Sequence, residues 1–265
     1  MSAKDLWIRD LITIYGSILI VTSVLIFWIT KKWSKFCENL YRSYLLGFEM
    51  ECAELAGSHK KRLFKNLRYT ESKDEILKIM GKVRILEIGV KTGNNIQYYP
   101  DGTHLICVDW NRKLGDYLIN GERSYEFSHI TIERLMIGDG SSLKGIPSGC
   151  VDVVVTTRSL CSTRSVRSTL REIYRVLAPG GTYLFFEHTM ENDKTFIRWL
   201  QKILTKTGIW PALFGGCRLD SNPIKDIEKT GFQEVAWNPI TLQGYVSQGF
   251  HLTLTRRHVV GTAKR

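Results

Sequence analysis

Residues 84 to 100 read RILEIGVKTGNNIQYYP, and this stretch decides the fold. Val83, Ile85, Leu86 and Ile88 form a short aliphatic, β-branched run that predicts a buried strand, and the run breaks into glycine-punctuated polar residues. An open α/β sheet builds a nucleotide site in this way. Gly89 and Gly93 remove side chains where the backbone turns sharply or approaches a ligand. Glu87 places a carboxylate at the strand's C-terminal end, where such sheets bind ligands. A glycine pair after a strand also describes an ordinary turn, so the stretch needs partners elsewhere in the chain.

Those partners follow in order. Leu105 to Asp109, LICVD, predicts a second strand ending in a carboxylate about twenty residues beyond the turn, where an acid can accept both hydroxyls of a ribose. Ile130 to Ile137 predicts a third strand, closed by Gly138-Asp139-Gly140-Ser141, and Val151 to Thr157, VDVVVTT, a fourth and central one. Ser162 or Ser165 can cap a helix carrying Val166, Leu170, Ile173 and Leu177, stopped by Ala178-Pro179-Gly180-Gly181. Arg164, Arg167, Arg171 and Arg175 share one stripe of that helix and read as a solvated face. Thr182 to Phe186 predicts a fifth strand leading to Glu187-His188. Phe196, Trp199, Leu200 and Ile203 mark a helix, and Gly208 to Cys217 is placed to cover a site. Asn222-Pro223 starts another helix and Gly231 ends it. Phe232 to Trp237 and Phe250 to Thr255 then predict closing strands. The alternation implies a largely parallel sheet with helices on both faces.

Upstream, Leu11 to Ile29 is nineteen residues without a charge, long enough at 1.5 Å per helical residue to cross roughly 30 Å of hydrocarbon. Thr30-Lys31-Lys32-Trp33 follows in place of a small-residue cleavage site, which favours an uncleaved membrane anchor over a signal peptide. The anchor either spans the bilayer or lies in its plane. Lys31, Lys32 and Lys35 lie just downstream, while Lys4 and Arg9 are balanced by Asp5 and Asp10, so the bias of positive charge places the remainder in the cytosol. The formal charge is +11, with thirteen Lys/Arg against seven Asp/Glu over residues 31–84 and four basic residues in 256–265. Beside an apolar segment, that excess points to anionic headgroups and away from nucleic acid. The six cysteines, Cys37, Cys52, Cys107, Cys150, Cys161 and Cys217, show neither a CxxC pair nor zinc-type spacing. They read as reduced cytosolic thiols, and no metal is expected. The division expected is an anchor over 1–30, a basic helical juxtamembrane region over 31–82 and the α/β domain over 83–265.

The series strand-E-x-G-x-x-x-G, strand-D, Gly-Asp, VDVVV, then a helix ending LAPGG before a strand, resembles class I S-adenosylmethionine-dependent methyltransferases with their Rossmann-like sheet. The match spans about residues 83 to 256. A narrower resemblance is to the methyltransferase-like 7 proteins, membrane-anchored thiol methyltransferases of the endoplasmic reticulum and lipid droplets. It rests on the anchor, Lys60-Lys61-Arg62-Leu63-Phe64, Gln97-Tyr98-Tyr99-Pro100, Leu160-Cys161-Ser162, Phe185-Phe186-Glu187-His188 and Gly215-Gly216-Cys217. The resemblance implies S-adenosylmethionine as cofactor. It places Glu87, Gly89 and Gly93 at the methionine and ribose portions, Asp109 at the ribose hydroxyls, Asp139 and Gly140 at the adenine edge, and Thr157 to Cys161 near the transferring methyl. It also implies a small lipophilic acceptor, a thiol above all, with Arg158 or Lys91 supplying a positive field and His188 a candidate base. The alternatives are a lipid or quinone acceptor, or a protein that binds the cofactor without turnover. Lys91 stands where the family pattern has glycine; its long cationic side chain crowds the ligand and opposes the sulfonium charge unless it points outward or meets the cofactor's carboxylate. A dehydrogenase is disfavoured because the turn is not G-x-G-x-x-G.

Overall fold

The computed structural model describes residues 3–40, 44, 46–112, 115, 118–120 and 124–265, and the chain divides into two compact units, Met1–Leu45 and Leu46–Arg265. The first is dominated by one helix, α1 (Ala3–Leu40), in which Leu11–Thr30 is apolar and long enough to cross a membrane. Its apolar side chains from Ile12 to Ile29 are exposed, with Leu19, Phe27 and Trp28 all more than half accessible. The side chains of Lys4, Asp5, Arg9, Asp10, Lys31, Lys35 and Cys37 lie outside the described residues.

The second unit is built on a seven-stranded sheet of order β3-β2-β1-β4-β5-β7-β6. Its strands are β1 (Arg84–Ile88), β2 (His104–Asp109), β3 (Thr131–Ile137), β4 (Val151–Thr157), β5 (Leu177–His188), β6 (Glu234–Thr241) and β7 (Arg257–Lys264). β1 to β5 are mutually parallel, whereas β7 runs antiparallel between β5 and β6. The chain winds outward from β1 through β2 to β3 and then returns to β4 on the other flank. The order therefore reverses between β1 and β4, and a crevice opens beyond their C-terminal ends. All seven residues of β4 are buried, as the continuous VDVVVTT run requires of a strand covered on both faces.

Helices α2 (Leu46–Leu55), α3 (Gly57–Phe64) and α4 (Glu75–Ile79) precede the sheet and belong to its compact unit, although residues 31–82 read from sequence as a region apart. Phe48, Cys52 and Ala56 pack with Phe186, Leu242 and Val246, and Phe64 and Leu67 pack with Val83 and Ile85. A buried carboxylate adds a polar tie: Asp152 on β4 accepts from Ser72 Oγ at 2.7 Å and from the amides of Lys73 and Arg84 at 2.6 and 2.8 Å. Basic residues thus enter the fold as well as the surface, and Lys60 is buried.

On the other face, α5 (Val166–Val176) is capped by Ser165, whose hydroxyl accepts from Ser168 N, and buries Leu170, Ile173 and Val176. Each such aliphatic side chain contributes about 1.5–3 kcal/mol by leaving water. Arg164, Arg167 and Arg175 of its basic stripe form ion pairs with Asp139, Asp226 and Glu172 at or near the surface. Next come α6 (Phe196–Lys206), the short α7 (Ile209–Leu213) and α8 (Pro223–Glu228), which has proline in its first turn as expected.

The expected strand at Phe250–Thr255 is instead a helix, α9 (Gly249–Thr255), that buries His251, Leu252, Leu254 and Thr255 and exposes Phe250. Alternating Phe250, Leu252 and Leu254 satisfied a period of two over too few residues to exclude a helical turn. The final strand occupies the segment whose four basic residues were counted in the charge excess. In β7, Gly261 lets neighbouring strands close in, since a Cβ there would lie 2.3 Å from Ala236 O and 2.6 Å from the Phe185 ring. Its flanking cations are bound to protein: Arg257 pairs with Glu191 and Lys264 with Glu234.

Candidate active site

The crevice between β1 and β4 holds two adjoining clefts that share Gly89, Lys91 and Arg158. One is lined by Glu49, Cys52, Lys60, Asn95 and Thr157, the other by Asp109, Trp110, Asp139, Ser159 and Ser162. The first is rich in cations and amides, the second in strand-end carboxylates and an exposed indole. Together they suit an elongated ligand with an amino acid at one end and a nucleoside at the other.

The glycine turn separates them. Gly89 has φ +79°, and a Cβ there would come within 2.5 Å of Ser159 Cβ, so the β1 and β4 loops approach only because that side chain is missing. Gly93, at φ +74°, has no such room either, with the Phe127 ring 2.8 Å from where a Cβ would be. Lys91 occupies the left-handed region at φ +52° without being glycine. Its amide donates to Asp109 Oδ2 at 2.8 Å, which fixes the turn to the end of β2.

The Lys91 side chain is held at its tip. Its ammonium lies 2.9 Å from Glu49 Oε2 and donates to the Arg158 carbonyl at 3.2 Å. Glu49, on α2, also accepts from Arg158 Nε at 3.2 Å. One carboxylate thus holds two cations. Burial alone would raise the Glu49 carboxyl, but Lys91 and Arg158 overcome it and hold its pKa far below the usual range. Arg158 is itself left-handed, φ +51°, and nearly inaccessible. Its Nη1 donates to His258 Nε2 at 2.8 Å. That imidazole accepts because its Nδ1 faces the Arg256 carbonyl at 2.9 Å, and burial together with Arg158 keeps it neutral.

Glu87 lies beneath the turn and reaches the cleft through intermediaries. It accepts from Asn95 Nδ2 at 2.6 Å and from Tyr99 Oη at 2.7 Å, while Lys60 Nζ donates to Asn95 Oδ1 at 2.8 Å. Burial raises the Glu87 carboxyl to about 7 and lowers Lys60 to about 8. Asp109 is buried at its strand end, accepting also from Asn111 N at 2.9 Å, and burial raises its pKa. Asp139 accepts from Ser141 and from Arg164 N, which ties the β3 loop to the loop after β4. Gly140, at φ +79°, packs against Ile88, where a Cβ would be 2.8 Å from Cγ2.

Of the residues expected at the site, Gly89, Asp109, Asp139, Thr157 and Arg158 line the clefts. Glu87, Gly93 and Gly140 shape them from behind. His188, at the end of β5, is buried away from both linings, with Nε2 3.3 Å from Cys217 Sγ. Sequence reasoning missed Glu49, Asn95 and His258. Glu49 carries no local signal, being one acid in a basic helical region far from the turn. Lys60 and Tyr99 were visible as parts of resembling motifs, but their connection to Glu87, direct for Tyr99 and through Asn95 for Lys60, was not. Cys52, beside the shared cations, stays a thiol because burial raises it to about 11. Gly215 and Gly216 approach Trp110 and the Ser162 carbonyl, so the segment after α7 borders the nucleoside end.

Residues 86–185 match the sequence pattern of a methyltransferase domain. The chain is 32% identical to thiol S-methyltransferase TMT1A of Homo sapiens over 87% of its length and 88% of the relative's. It is also 32% identical to thiol S-methyltransferase TMT1B of Rattus norvegicus, over 78% of this chain and 82% of that one. Among solved structures, geranyl diphosphate methyltransferase in complex with S-adenosylmethionine superposes with a TM-score of 0.55 at 13% identity. That match covers 78% of this chain and 84% of the other, a likeness of fold.

Proposed function

The chain belongs to the family of the thiol S-methyltransferases TMT1A and TMT1B, and on that footing we propose that it methylates small lipophilic thiols at the cytosolic face of a membrane. It is an S-adenosylmethionine-dependent methyltransferase. The cofactor supplies a methyl group already activated on a sulfonium, so the protein's task is alignment and the charge state of the acceptor.

The arrangement of Glu49, Lys91 and Arg158 carries the thiol reading. Two cations share one carboxylate where the clefts meet, leaving a net positive field fixed by short contacts. A thiol with an ordinary pKa near 8.5 is already partly thiolate at neutral pH, and such a field raises that fraction. The positive field must not repel the sulfonium, and Glu49 answers that requirement by pairing the Lys91 ammonium with a carboxylate at 2.9 Å. This contact favours turnover over cofactor binding alone. In the same reading Asp109 accepts from the ribose hydroxyls, Asp139 and Gly140 border the adenine, and Thr157 borders the methionine end. Gly89 and Gly93 leave room for the backbone to approach. Glu87 positions Asn95, and Lys60 offers a cation to the cofactor's carboxylate. His188 serves through Cys217 and not as a free base.

Leu11–Thr30 anchors the protein, by the family resemblance in the endoplasmic reticulum membrane or at lipid droplets, where lipophilic thiols concentrate. The test is calorimetric titration with S-adenosylmethionine, then methyl transfer to an alkyl thiol beside a phenol of equal hydrophobicity. Transfer to the thiol alone is the expected result. Binding without transfer to either, restored by Lys91→Gly, would replace this reading with that of a silenced enzyme.

A further inference from the structure

Three potential ligand atoms converge outside the cofactor clefts. Cys161 follows β4, His188 ends β5 and Cys217 follows α7, and the two sulfurs and the imidazole nitrogen all lie within 4.8 Å of one another. In sequence they are twenty-seven and twenty-nine residues apart, a spacing that matches no local metal motif, which is why the sequence pointed to no metal. The fold gathers them. Soft thiolates with an imidazole are the ligand set that selects Zn²⁺-like ions over hard cations such as Mg²⁺.

The segments that carry these residues are tied together independently of any ion. Arg218 N donates to the Cys161 carbonyl at 3.0 Å, joining the first and third ligand loops. Glu187, beside His188, accepts from Ser159 N at 3.0 Å and Leu160 N at 3.2 Å, joining the first and second. Such outer contacts hold ligands at coordinating range before an ion arrives. His188 Nε2 faces Cys217 Sγ at 3.3 Å, while its Nδ1 is buried and has no hydrogen-bond partner among the described residues. Cys161 and His188 are inaccessible, whereas Cys217 retains partial exposure, so the cluster is closed on the protein side and open on one other.

We propose that Cys161, His188 and Cys217 form a three-ligand site for a Zn²⁺-like ion, with its fourth position open to the sulfur of the acceptor thiol. Three protein ligands and one open position distinguish catalytic from structural zinc sites. The neighbouring residues Ser159 and Ser162 line the cleft that holds Asp109 and Trp110, so the Cys161 loop adjoins the proposed cofactor site. On ligation the acceptor thiol gives its proton to water. Its sulfur then forms the new bond to the methyl carbon, and the electron pair of the breaking carbon–sulfur bond stays with the former sulfonium, leaving a neutral thioether. The open position rests on the thiol-acceptor reading; the ion site itself does not.

The experiment uses the full chain in detergent, reduced with a phosphine and loaded with Co²⁺ in place of Zn²⁺. One equivalent should produce thiolate-to-cobalt charge-transfer absorption that Zn²⁺ abolishes by displacement, with the intensity falling by about half in Cys161→Ser and in Cys217→Ser. His188→Gln should shift the ligand-field bands, and near-ultraviolet circular dichroism checks that each variant is folded. An alkyl thiol, but not the matching alcohol, should shift the wild-type spectrum. Absence of charge-transfer absorption at saturating Co²⁺, or undiminished intensity in both serine variants, overturns the site. Absorption that ignores added thiol overturns the open acceptor position. A thiol-responsive spectrum with no methyl transfer to thiols would instead sink the acceptor reading and leave the site standing.

Discussion

Replacing Glu49 with glutamine keeps the shape of the side chain and removes the charge that binds two cations. The ion pairs it breaks span 2.9 Å to Lys91 and 3.2 Å to Arg158, with the Arg158 side chain only 7% exposed and those of Glu49 and Lys91 about one-fifth exposed. At an effective dielectric of about 20, each pair is worth roughly 5 kcal/mol of gross attraction, most of it offset by the cost of taking the charges out of water. The net cost of breaking a buried pair is about 3–5 kcal/mol, and partial exposure argues for the lower end. For a unit of this size about 3 kcal/mol lowers Tm by about 6–12 °C. The pH dependence follows with a definite sign. Glu49 has a folded pKa below its unfolded one, so its contribution is present above about pH 4.5 and disappears as pH falls through the folded value. Glu49→Gln should therefore lose its disadvantage in acid, and the two stability curves should converge there. The uncompensated Lys91 should also face the cofactor's sulfonium, weakening S-adenosylmethionine binding about tenfold in calorimetry. A Tm within about 2 °C of wild type together with unchanged affinity would refute the reasoning, because it would mean that neither cation depends on this carboxylate.

Asp109→Ala should abolish measurable S-adenosylmethionine binding, through loss of both the ribose acceptor and the acceptor that pins the Lys91 amide; unchanged affinity would rule out the ribose assignment. Glu87, with its pKa raised to about 7, binds its proton more tightly folded than unfolded, so stability should fall as pH rises from about 4.5 to 7. Glu87→Gln should flatten that limb by up to about 3 kcal/mol in denaturant titrations, and an unaltered slope would mean that the carboxyl titrates normally. Removing residues 1 to 30 should release the protein from sedimented membranes while leaving cofactor affinity unchanged, because the compact second unit begins at Leu46. Truncated protein that still sediments would place membrane attachment in the second unit.

The sheet was legible because its signals are local. An aliphatic run followed by E-x-G-x-x-x-G, a strand ending in Asp109 and the all-buried VDVVVTT each report their own environment, and their alternation with helices implies a largely parallel sheet. Gly89 and Gly93 were readable as turn glycines because only a missing Cβ permits their conformation and close packing. The errors were also local in origin. Phe250 to Thr255, with alternating apolar side chains, looked like a strand and folds as a helix, while the true closing strand was hidden by its terminal arginine and lysine.

The sequence by itself determined the first five strands, the place of the crevice and the apolar N-terminal helix, since each follows from periodicity, spacing or a contiguous motif, and the cofactor class followed from the family resemblance. Only the tertiary structure decided what the charges do. Lys91 reads as an obstruction in a glycine turn until α2 brings Glu49 to within 2.9 Å of it. The partners of Glu87, Asn95 and Tyr99, and the meeting of Cys161, His188 and Cys217 were decided in the same way. Electrostatic and coordinating interactions depend on distance in space, and among residues separated by tens of positions that distance is set by how helices and loops pack, which no local pattern records.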